Sequence, residues 1–382
     1  MIALLQNLNR RLTRHASTLL LAGLIGVAGY NWRLWQRDKA LADRLRAEQP
    51  PTPRLRRAPN VSALVAAWNE RDRIEAHLRS FLALRYPDIE LILCAGGSDG
   101  TLERARLYAD ERVLVLEQRP GEGKQRALAR CLDHASGEII YLTDADCLYD
   151  DQALARLLAP LIDGEEHAAT GCSRPLDEQQ GRLLPMYLWI SDVMASARGS
   201  EYSSGILGRN AALTRQALDR IGGLAWEART GTDYQLARRL LGADIAIRNV
   251  RTSVVASEYP ATLRIYRHKQ SRWLRNLLLH GRRYGAADDV RLTLQTVATG
   301  ALMLAIPAAA WPLGRLILVP WSLLVAHAVG SKLRYAGFAA RLYRRRLPLR
   351  LFAGLLPLTL IDFAIWASPI LDLLHPKRRE RW

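Results

Sequence analysis

The chain has 382 residues, enough for one large globular domain with additional elements. Its formal charge of +17 at pH 7 would suit a nucleic-acid-binding protein, but the charge is unevenly distributed. Residues 61–262 carry 23 basic and 29 acidic side chains, a net charge of −6, whereas the positive excess lies beside apolar segments. This distribution is typical of the cytoplasmic face of a membrane protein. We therefore expect a membrane, and no nucleic acid, as a partner.

The cysteines all lie in the acidic central segment, without the paired spacing of a metal site. They are Cys94, Cys131, Cys147 and Cys172. We interpret them as reduced core residues in a cytosolic compartment.

An uncharged, mostly apolar segment occupies residues 16–32, with arginines on both sides. No convincing signal-peptide cleavage site follows it, and Trp32 and Trp35 have the character of interfacial anchors. A segment of about 17 residues is at the short limit for a membrane span. We predict that residues 1–46 form an N-terminal membrane anchor, followed by a Pro-rich basic linker at residues 47–60.

Strand and helix patterns alternate from Val61 onward. The predicted strands are 61–67, 89–94, 113–117 and 138–142, and the predicted helices between them are 70–84, 101–109 and 123–135. This order predicts an α/β domain at residues 61–262, with a mostly parallel sheet and helices on both of its faces.

The strand at 138–142 leads directly into Asp144 and Asp146. Because residues i and i+2 of an extended chain point the same way, both carboxylates can face one ligand at the strand's carboxyl end, where such sheets bind ligands. Two hard oxygen donors suit Mg²⁺ or Mn²⁺ together with a substrate's phosphates. An isolated Asp-x-Asp is more often a polar loop, so the remaining motifs must decide.

Two further segments hold candidate site residues. A Gly-rich turn at 120–124 places Lys124 at a helix start, where it could meet a phosphate, although most such turns are ordinary loops. Asp233 lies near the amino end of a helix predicted after Gly231, where the ordinary role of such a residue is to cap the helix.

The C-terminal third of the chain has the strongest membrane signals. Residues 263–291 are basic and amphipathic, which predicts a helix in the membrane interface. A transmembrane region follows at 292–374, and then a basic tail at 375–382. Its predicted spans are 292–314, 316–331 and 351–374.

Loop charge predicts a multi-pass protein of the cell membrane, with the central domain on the cytoplasmic side. A third C-terminal span would carry the basic tail outward, so either residues 351–374 re-enter the membrane or the tail is an exception. Asp362 lies in the middle of this segment. It could face a substrate path, or it could be a structural residue that faces another helix.

Together these segments resemble the membrane-bound family-2 glycosyltransferases, which have the GT-A fold. The resemblance runs from about Val61 to Trp273 and continues in the flanking apolar segments. Asn69 and Glu70 match the first nucleotide-facing turn of the family, and Asp99 belongs to the second. Two leading aspartates of that second turn are replaced, by Cys94 and Ala95. Since the second of them helps to hold uracil in the family, the resemblance does not identify the nucleotide.

The remaining motifs follow in the family's order. Lys124 is similar to a lysine near the nucleotide, and Asp144 and Asp146 match the metal and diphosphate motif. Asp233 stands where the family carries its general base. The acceptor and diphosphate motif of the polymer-forming synthases, Gln-x-x-Arg-Trp, is matched by the segment that contains Lys269, Gln270, Arg272 and Trp273, with Lys269 in place of the glutamine.

The resemblance implies an inverting transfer of a hexosyl or N-acetylhexosaminyl group from a nucleotide-sugar donor to a membrane lipid or glycan acceptor. Asp233 would be the general base, and Asp144 and Asp146 would hold Mg²⁺ or Mn²⁺ and the donor diphosphate. Two alternatives remain open. One is a processive polysaccharide synthase, and the other is a non-catalytic, membrane-anchored nucleotide-binding module.

Overall fold

The structure, a computed structural model, describes residues 16–227 and 230–374. The first part of the predicted anchor, residues 1–15, and the predicted tail at 375–382 lie outside the described residues. The chain divides into two compact units. Of the described residues, 16–48, 181–195 and 260–374 form the helical unit, and 49–180, 196–227 and 230–259 form the sheet unit.

The strands agree with the predicted ones to within two residues over the first half of the sheet unit. They are β1 (Val61–Trp68), β2 (Ile89–Gly96), β3 (Val113–Glu117), β4 (Ile139–Leu142), β5 (Cys147–Leu148), β6 (Ala168–Pro175), β7 (Ala211–Thr214) and β8 (Arg248–Ser257).

The helices include the three predicted between these strands, with ends that differ by up to three residues. They are α1 (Ala16–Ala47), α2 (Arg71–Leu82), α3 (Thr101–Arg106), α4 (Gly123–Asp133), α5 (Asp151–Ile162), α6 (Leu183–Arg198), α7 (Arg215–Arg220), α8 (Thr232–Gly242), α9 (Leu263–Arg283), α10 (Ala287–Leu313), α11 (Leu318–Tyr343) and α12 (Leu349–Leu374). Short 3₁₀ turns occupy Asp177–Gln179 and Arg315–Ile317.

The strands form one sheet in the order β3-β2-β1-β4-β7-β6-β8-β5. The first four strands pair in parallel, as predicted, because a helix crosses back between each pair. The second half of the sheet is mixed. β7 runs antiparallel to both β4 and β6, β8 runs parallel to β6, and the short β5 is antiparallel to β8.

Both faces of the sheet are covered by helices, as predicted. Alternate residues of β1 face opposite sides, so that Val65 packs in a cluster with Leu78 of α2 and Leu157 of α5, while Leu64 packs in a second cluster with Leu128 of α4. These side chains are at most 3% exposed. Each fully buried side chain of this size contributes about 1.5–3 kcal/mol, which explains why the two clusters hold the sheet between its helices.

Among the described residues of the helical unit, two segments are long and apolar enough to cross a membrane, Ala287–Ala310 in α10 and Leu349–Ile370 in α12. They overlap two of the predicted C-terminal spans. The other predicted spans, 16–32 and 316–331, form parts of α1 and α11, which are less apolar over their length. That α1 and α11 insert in the membrane stays a prediction.

Asp362 is buried within the helical unit, with about 1% of its surface exposed. Its Oδ2 accepts a hydrogen bond from the Tyr187 hydroxyl at 2.6 Å and lies 3.3 Å from Lys332 Nζ, while its Oδ1 accepts one from the Tyr266 hydroxyl at 2.7 Å. Both carboxylate oxygens are therefore satisfied by neighbouring helices. Of the two interpretations of this residue, the contacts favour the structural one.

Candidate active site

The Asp144-Ala145-Asp146 turn lies between β4 and β5, at the carboxyl end of a central strand. The Cys147 amide donates to the carbonyl of Asp144 at 3.0 Å, which closes the turn. The Glu258 amide donates to the carbonyl of Asp146 at 3.1 Å, next to the pairing of β5 with β8. The turn is thus closed by one hydrogen bond and tied by another to the residue that follows β8, at the predicted edge of the sheet.

Lys124 links two of the predicted acids. It lies in the first turn of α4, and its Nζ donates to Asp144 Oδ1 at 2.6 Å and lies 3.8 Å from Asp233 Oδ1. Burial by itself would lower the pKa of Lys124, but the carboxylates of Asp144, Asp233 and Asp146 outweigh it and raise the pKa above its ordinary value. A third or more of each linked side chain remains exposed, so this cluster is open to solvent.

Asp233 lies in the first turn of α8 but does not cap it. The N-cap is Gly231, in the left-handed region with φ 64°, and no side chain caps the helix. The helix dipole favours an acid at this position. The carboxylate instead lies against Gly208, where any Cβ would overlap it. The absence of a side chain at position 208 therefore leaves room for the Asp233 carboxylate at this place.

Arg209, which was not predicted from the sequence, contributes a cation to the same edge. Its guanidinium donates to the Ser257 hydroxyl at 3.0 Å, and that hydroxyl lies 3.4 Å from Asp146 Oδ1. Its backbone carbonyl accepts from the Thr143 hydroxyl at 3.0 Å. Burial lowers the pKa of Arg209, but neighbouring groups that include Asp146 and Asp144 raise it overall. No motif indicated this residue, and the only available signal was a basic side chain directly after Gly208.

His77 binds the backbone directly after the Asp144-Ala145-Asp146 turn. The side chain is fully buried, and its Nδ1 lies 2.8 Å from the carbonyl of Cys147, so the neutral ring must donate from this nitrogen. Burial lowers the pKa of His77 to about 4, against the opposing effects of this hydrogen bond and of the Asp144 carboxylate. His77 is thus a neutral residue that positions the backbone after Asp146.

Asn69 and Asp99, predicted at the first two nucleotide-facing turns, each bind the backbone of the other turn. Asn69, at φ 58°, accepts a hydrogen bond from the Ser98 amide at 2.8 Å through its side-chain oxygen. Asp99 accepts one from the Arg71 amide at 3.0 Å, and the Glu70 amide donates to the Thr101 hydroxyl at 2.8 Å. These side chains therefore join the turns after β1 and β2, and their contact with a nucleotide stays a prediction.

Four of the predicted site residues lie on α9 in the helical unit, and they are Lys269, Gln270, Arg272 and Trp273. The indole of Trp273 is among the exposed apolar side chains, at 53%. Their contact with an acceptor or a diphosphate stays a prediction.

Within residues 16–227 and 230–374, no three His, Cys, Asp or Glu side chains cluster as a complete metal site would require. Asp144 and Asp146 offer two hard oxygen donors on one turn. Such a pair fits a divalent cation that takes its other ligands from phosphate oxygens and water. The donor chemistry therefore suits a cation that is shared with a substrate.

Comparison with known proteins identifies the family. The sequence profile described as "Glycosyltransferase like family 2" matches residues 59–276, which is more than half of the chain. The poly-beta-1,6-N-acetyl-D-glucosamine synthase of Staphylococcus epidermidis is 35% identical over 97 residues, 24% of this chain and 23% of that protein. The beta-monoglucosyldiacylglycerol synthase of Trichormus variabilis is 29% identical over 231 residues, 56% of this chain and 48% of that protein. The chain spans about half or less of the length of the curated relatives it matches.

Among solved structures, the mannosyltransferase PcManGT from Pyrobaculum calidifontis, in complex with GDP-Man and Mn²⁺, is similar with a TM-score of 0.52 at 21% identity. The similarity covers 96% of this chain and 99% of that one, which confirms the predicted GT-A fold. With the fold and the profile in agreement, the protein is a transferase enzyme that belongs to glycosyltransferase-like family 2.

Proposed function

We propose that this glycosyltransferase moves a hexosyl or N-acetylhexosaminyl group from a nucleotide sugar to a lipid or glycan acceptor at the cytoplasmic face of the cell membrane. The observation that carries the proposal is the Lys124 ammonium, 2.6 Å from Asp144 and 3.8 Å from Asp233. The three side chains come from separate elements of the sheet unit and match separate motifs of the family. Their convergence is expected of a site for a charged donor and an acceptor hydroxyl.

Asp144 and Asp146 would hold Mg²⁺ or Mn²⁺ together with the donor diphosphate. When bound, the cation would supply positive charge next to the leaving diphosphate. Lys124 and Arg209 add fixed positive charge around the same carboxylates, which favours a polyanionic donor and stabilises charge that develops as the bond to the sugar breaks. The Mn²⁺ in the mannosyltransferase structure supports the choice of metal.

Asp233 would act as the general base. An acceptor hydroxyl is a weak nucleophile, and a carboxylate that takes its proton raises the rate by about 10²–10⁴. The Asp233 side chain is 43% exposed, so an acceptor can reach it from solvent. Attack from the side opposite to the diphosphate inverts the anomeric carbon, which is the outcome implied by a single displacement.

A membrane lipid is the acceptor that we favour. The exposed Trp273 and the basic residues of α9 suit a headgroup region, where aromatic rings and positive charges concentrate. The name of the Trichormus variabilis relative points to a glycolipid product, and that of the Staphylococcus epidermidis relative to a polymer. A processive synthase is therefore the second candidate.

The size of the product separates the candidates. Membranes that contain the full chain are incubated with labelled nucleotide sugars and Mg²⁺ or Mn²⁺, and the product is extracted and sized. A short product in the lipid phase, with the anomeric configuration inverted, is the expected result. A long polymer would support the processive synthase instead. Binding of a nucleotide sugar without transfer to any acceptor would support the non-catalytic module and contradict the proposal.

A further inference from the structure

A basic cavity of about 510 Å³ lies between α1 and α11 in the helical unit. All of its lining residues belong to this unit, whereas Lys124, Asp144 and Asp233 belong to the sheet unit. The lining includes five cationic side chains and one indole, and these are Lys39, Arg46, Arg334, Arg341, Arg344 and Trp35.

The two helices that form the cavity run in the same direction. Gly23 lies against Leu323, Gly330 against Asn31, and the Asp43 carboxylate binds Arg341, so residue numbers rise together along both helices. Their basic carboxyl ends therefore meet at one end of the pair. Partial negative charge at helix carboxyl ends favours one or two nearby cations. It does not by itself explain five cations around a cavity.

Internal ion pairs neutralise two of the five cations. Arg334 and Asp38 are both nearly buried and approach to 2.5 Å. Arg341 makes two hydrogen bonds to Asp43, at 2.6 and 2.7 Å. In each pair the acid lies on α1 and the arginine on α11, so the two pairs hold the helices together and fix the walls of the cavity.

The other three cations give the cavity an excess positive charge. Arg46 is 3.9 Å from an Asp43 oxygen that Arg341 already occupies. For Lys39 and Arg344, the described part of the chain offers no carboxylate within 4.0 Å, and both side chains are exposed. Arg344 ends α11 with φ 51°, in the left-handed region that few residues other than glycine adopt. With five cations and two carboxylates, the net charge of the cavity and its ion pairs is +3.

On both helices, the residues that line the cavity come directly after an apolar segment. Residues 16–32 of α1 and 318–331 of α11 are uncharged, and the basic residues begin immediately after them on both helices. Trp32, at 62% exposure, and Trp35 lie at this change on α1. Basic pockets between helices at the cytoplasmic boundary of a membrane bind the phosphates of anionic lipids.

We propose that the cavity between α1 and α11 is a binding site for the phosphate of an anionic lipid headgroup. Lys39, Arg46 and Arg344 donate to the phosphate oxygens, and Trp35 contacts the glycerol and acyl part. The same chemistry would also accept a soluble phosphate. A ligand that binds only the folded state stabilises it by mass action, so the site should be visible in the unfolding temperature.

The test uses the full chain in a nonionic detergent. Its thermal midpoint is measured with dioctanoyl phosphatidylglycerol, with dioctanoyl phosphatidylcholine and with inorganic phosphate, at matched ionic strength. The phosphatidylglycerol should raise the midpoint by about 3 °C or more at saturation, and phosphatidylcholine should not. An equal rise with inorganic phosphate would support the site but assign it to a soluble ligand. An equal rise with phosphatidylcholine would overturn the proposal, and so would the absence of a rise with both phosphatidylglycerol and inorganic phosphate.

Matched variants separate the cavity from general surface charge. The double variant Lys39→Gln, Arg344→Gln should need at least a tenfold higher concentration of phosphatidylglycerol for the same rise in thermal midpoint. Arg37→Gln combined with Arg346→Gln removes the same charge from exposed residues of the same region that do not line the cavity, and should respond as the wild type does. Lys39→Gln alone provides a milder change if the double variant does not fold. Equal weakening in the control pair would contradict a defined site.

Discussion

Gly208 and Asp233 lie so close together that a Cβ at position 208 would overlap Asp233 Oδ1, so the carboxylate would have to move to make room for it. The contact makes a glycine part of the site without any chemistry of its own. Gly208→Ala should displace the carboxylate from Lys124 and lower transfer by about tenfold or more, with little loss of donor binding. Turnover and donor affinity are measured together on membranes.

Gly205 provides the matched control for this change. It lies in the same loop, and a Cβ there meets nothing within 4 Å. Gly205→Ala should therefore leave turnover near that of the wild type. Normal turnover in Gly208→Ala would show that the position of Asp233 beside Lys124 is not required.

Lys124 should matter mainly for the donor. Its raised pKa keeps it charged throughout the ordinary pH range, and Lys124→Gln removes that charge from between Asp144 and Asp233. We expect the affinity for the nucleotide sugar to fall by about tenfold, as judged by thermal shift against donor concentration. Arg126→Gln removes an exposed cation from the same helix and serves as the control. Unchanged donor affinity in Lys124→Gln would remove Lys124 from the donor site.

His77 makes the stability of the sheet unit depend on pH. The folded state holds this ring neutral with a pKa of about 4, whereas the unfolded chain takes up the proton near pH 6.5. The unfolded state therefore binds more protons as the pH falls from about 6.5 to about 4, and the free energy of unfolding falls by up to about 3 kcal/mol over that window.

His77→Asn keeps a donor for the Cys147 carbonyl and removes the titration. The variant should be less stable near pH 7 but should lose less stability between pH 6.5 and 4 than the wild type, in denaturant titrations at several pH values. His134→Asn, at an exposed histidine, should follow the wild-type slope. Identical slopes for His77→Asn and the wild type would contradict this account of His77.

Asp362 should be needed for the folding of the helical unit. Asp362→Asn leaves the ammonium of Lys332 without its buried carboxylate, which typically costs about 3–5 kcal/mol. The same change combined with Lys332→Met should recover part of that stability, because it removes the unpaired charge. Unfolding in detergent would measure both. A stable Asp362→Asn protein with impaired transfer would instead support a role in the substrate path.

The sequence predicted the parts of the fold that repeat a pattern. The helices between β1 and β4 require parallel pairing, whereas β5, at two residues, is too short for an alternating pattern to be recognised. Gly181–Ala195 packs with the helical unit although it lies between two segments of the sheet unit. The predicted domains were consecutive ranges of the chain, so they could not include a segment that leaves one unit for the other and returns.

The site residues that could be predicted are those that belong to a recognisable sequence motif. Asp144 and Asp146 were selected from their position after a strand and Asp233 from the family resemblance, and the geometry brings Asp144 and Asp233 to one ammonium. Arg209 and His77 were not selected, because their contacts are with a hydroxyl and a backbone carbonyl that only the folded chain brings near them.

The most direct test is the rate of sugar transfer by Asp233→Asn and by Asp146→Ala in membranes, with donor binding measured on the same samples. The account predicts that Asp233→Asn loses at least 10²-fold in turnover but still binds the donor, that Asp146→Ala loses both, and that Asp219→Asn, at an exposed acid of the same unit, loses neither. Turnover near the wild-type value in Asp233→Asn would contradict its role as the base.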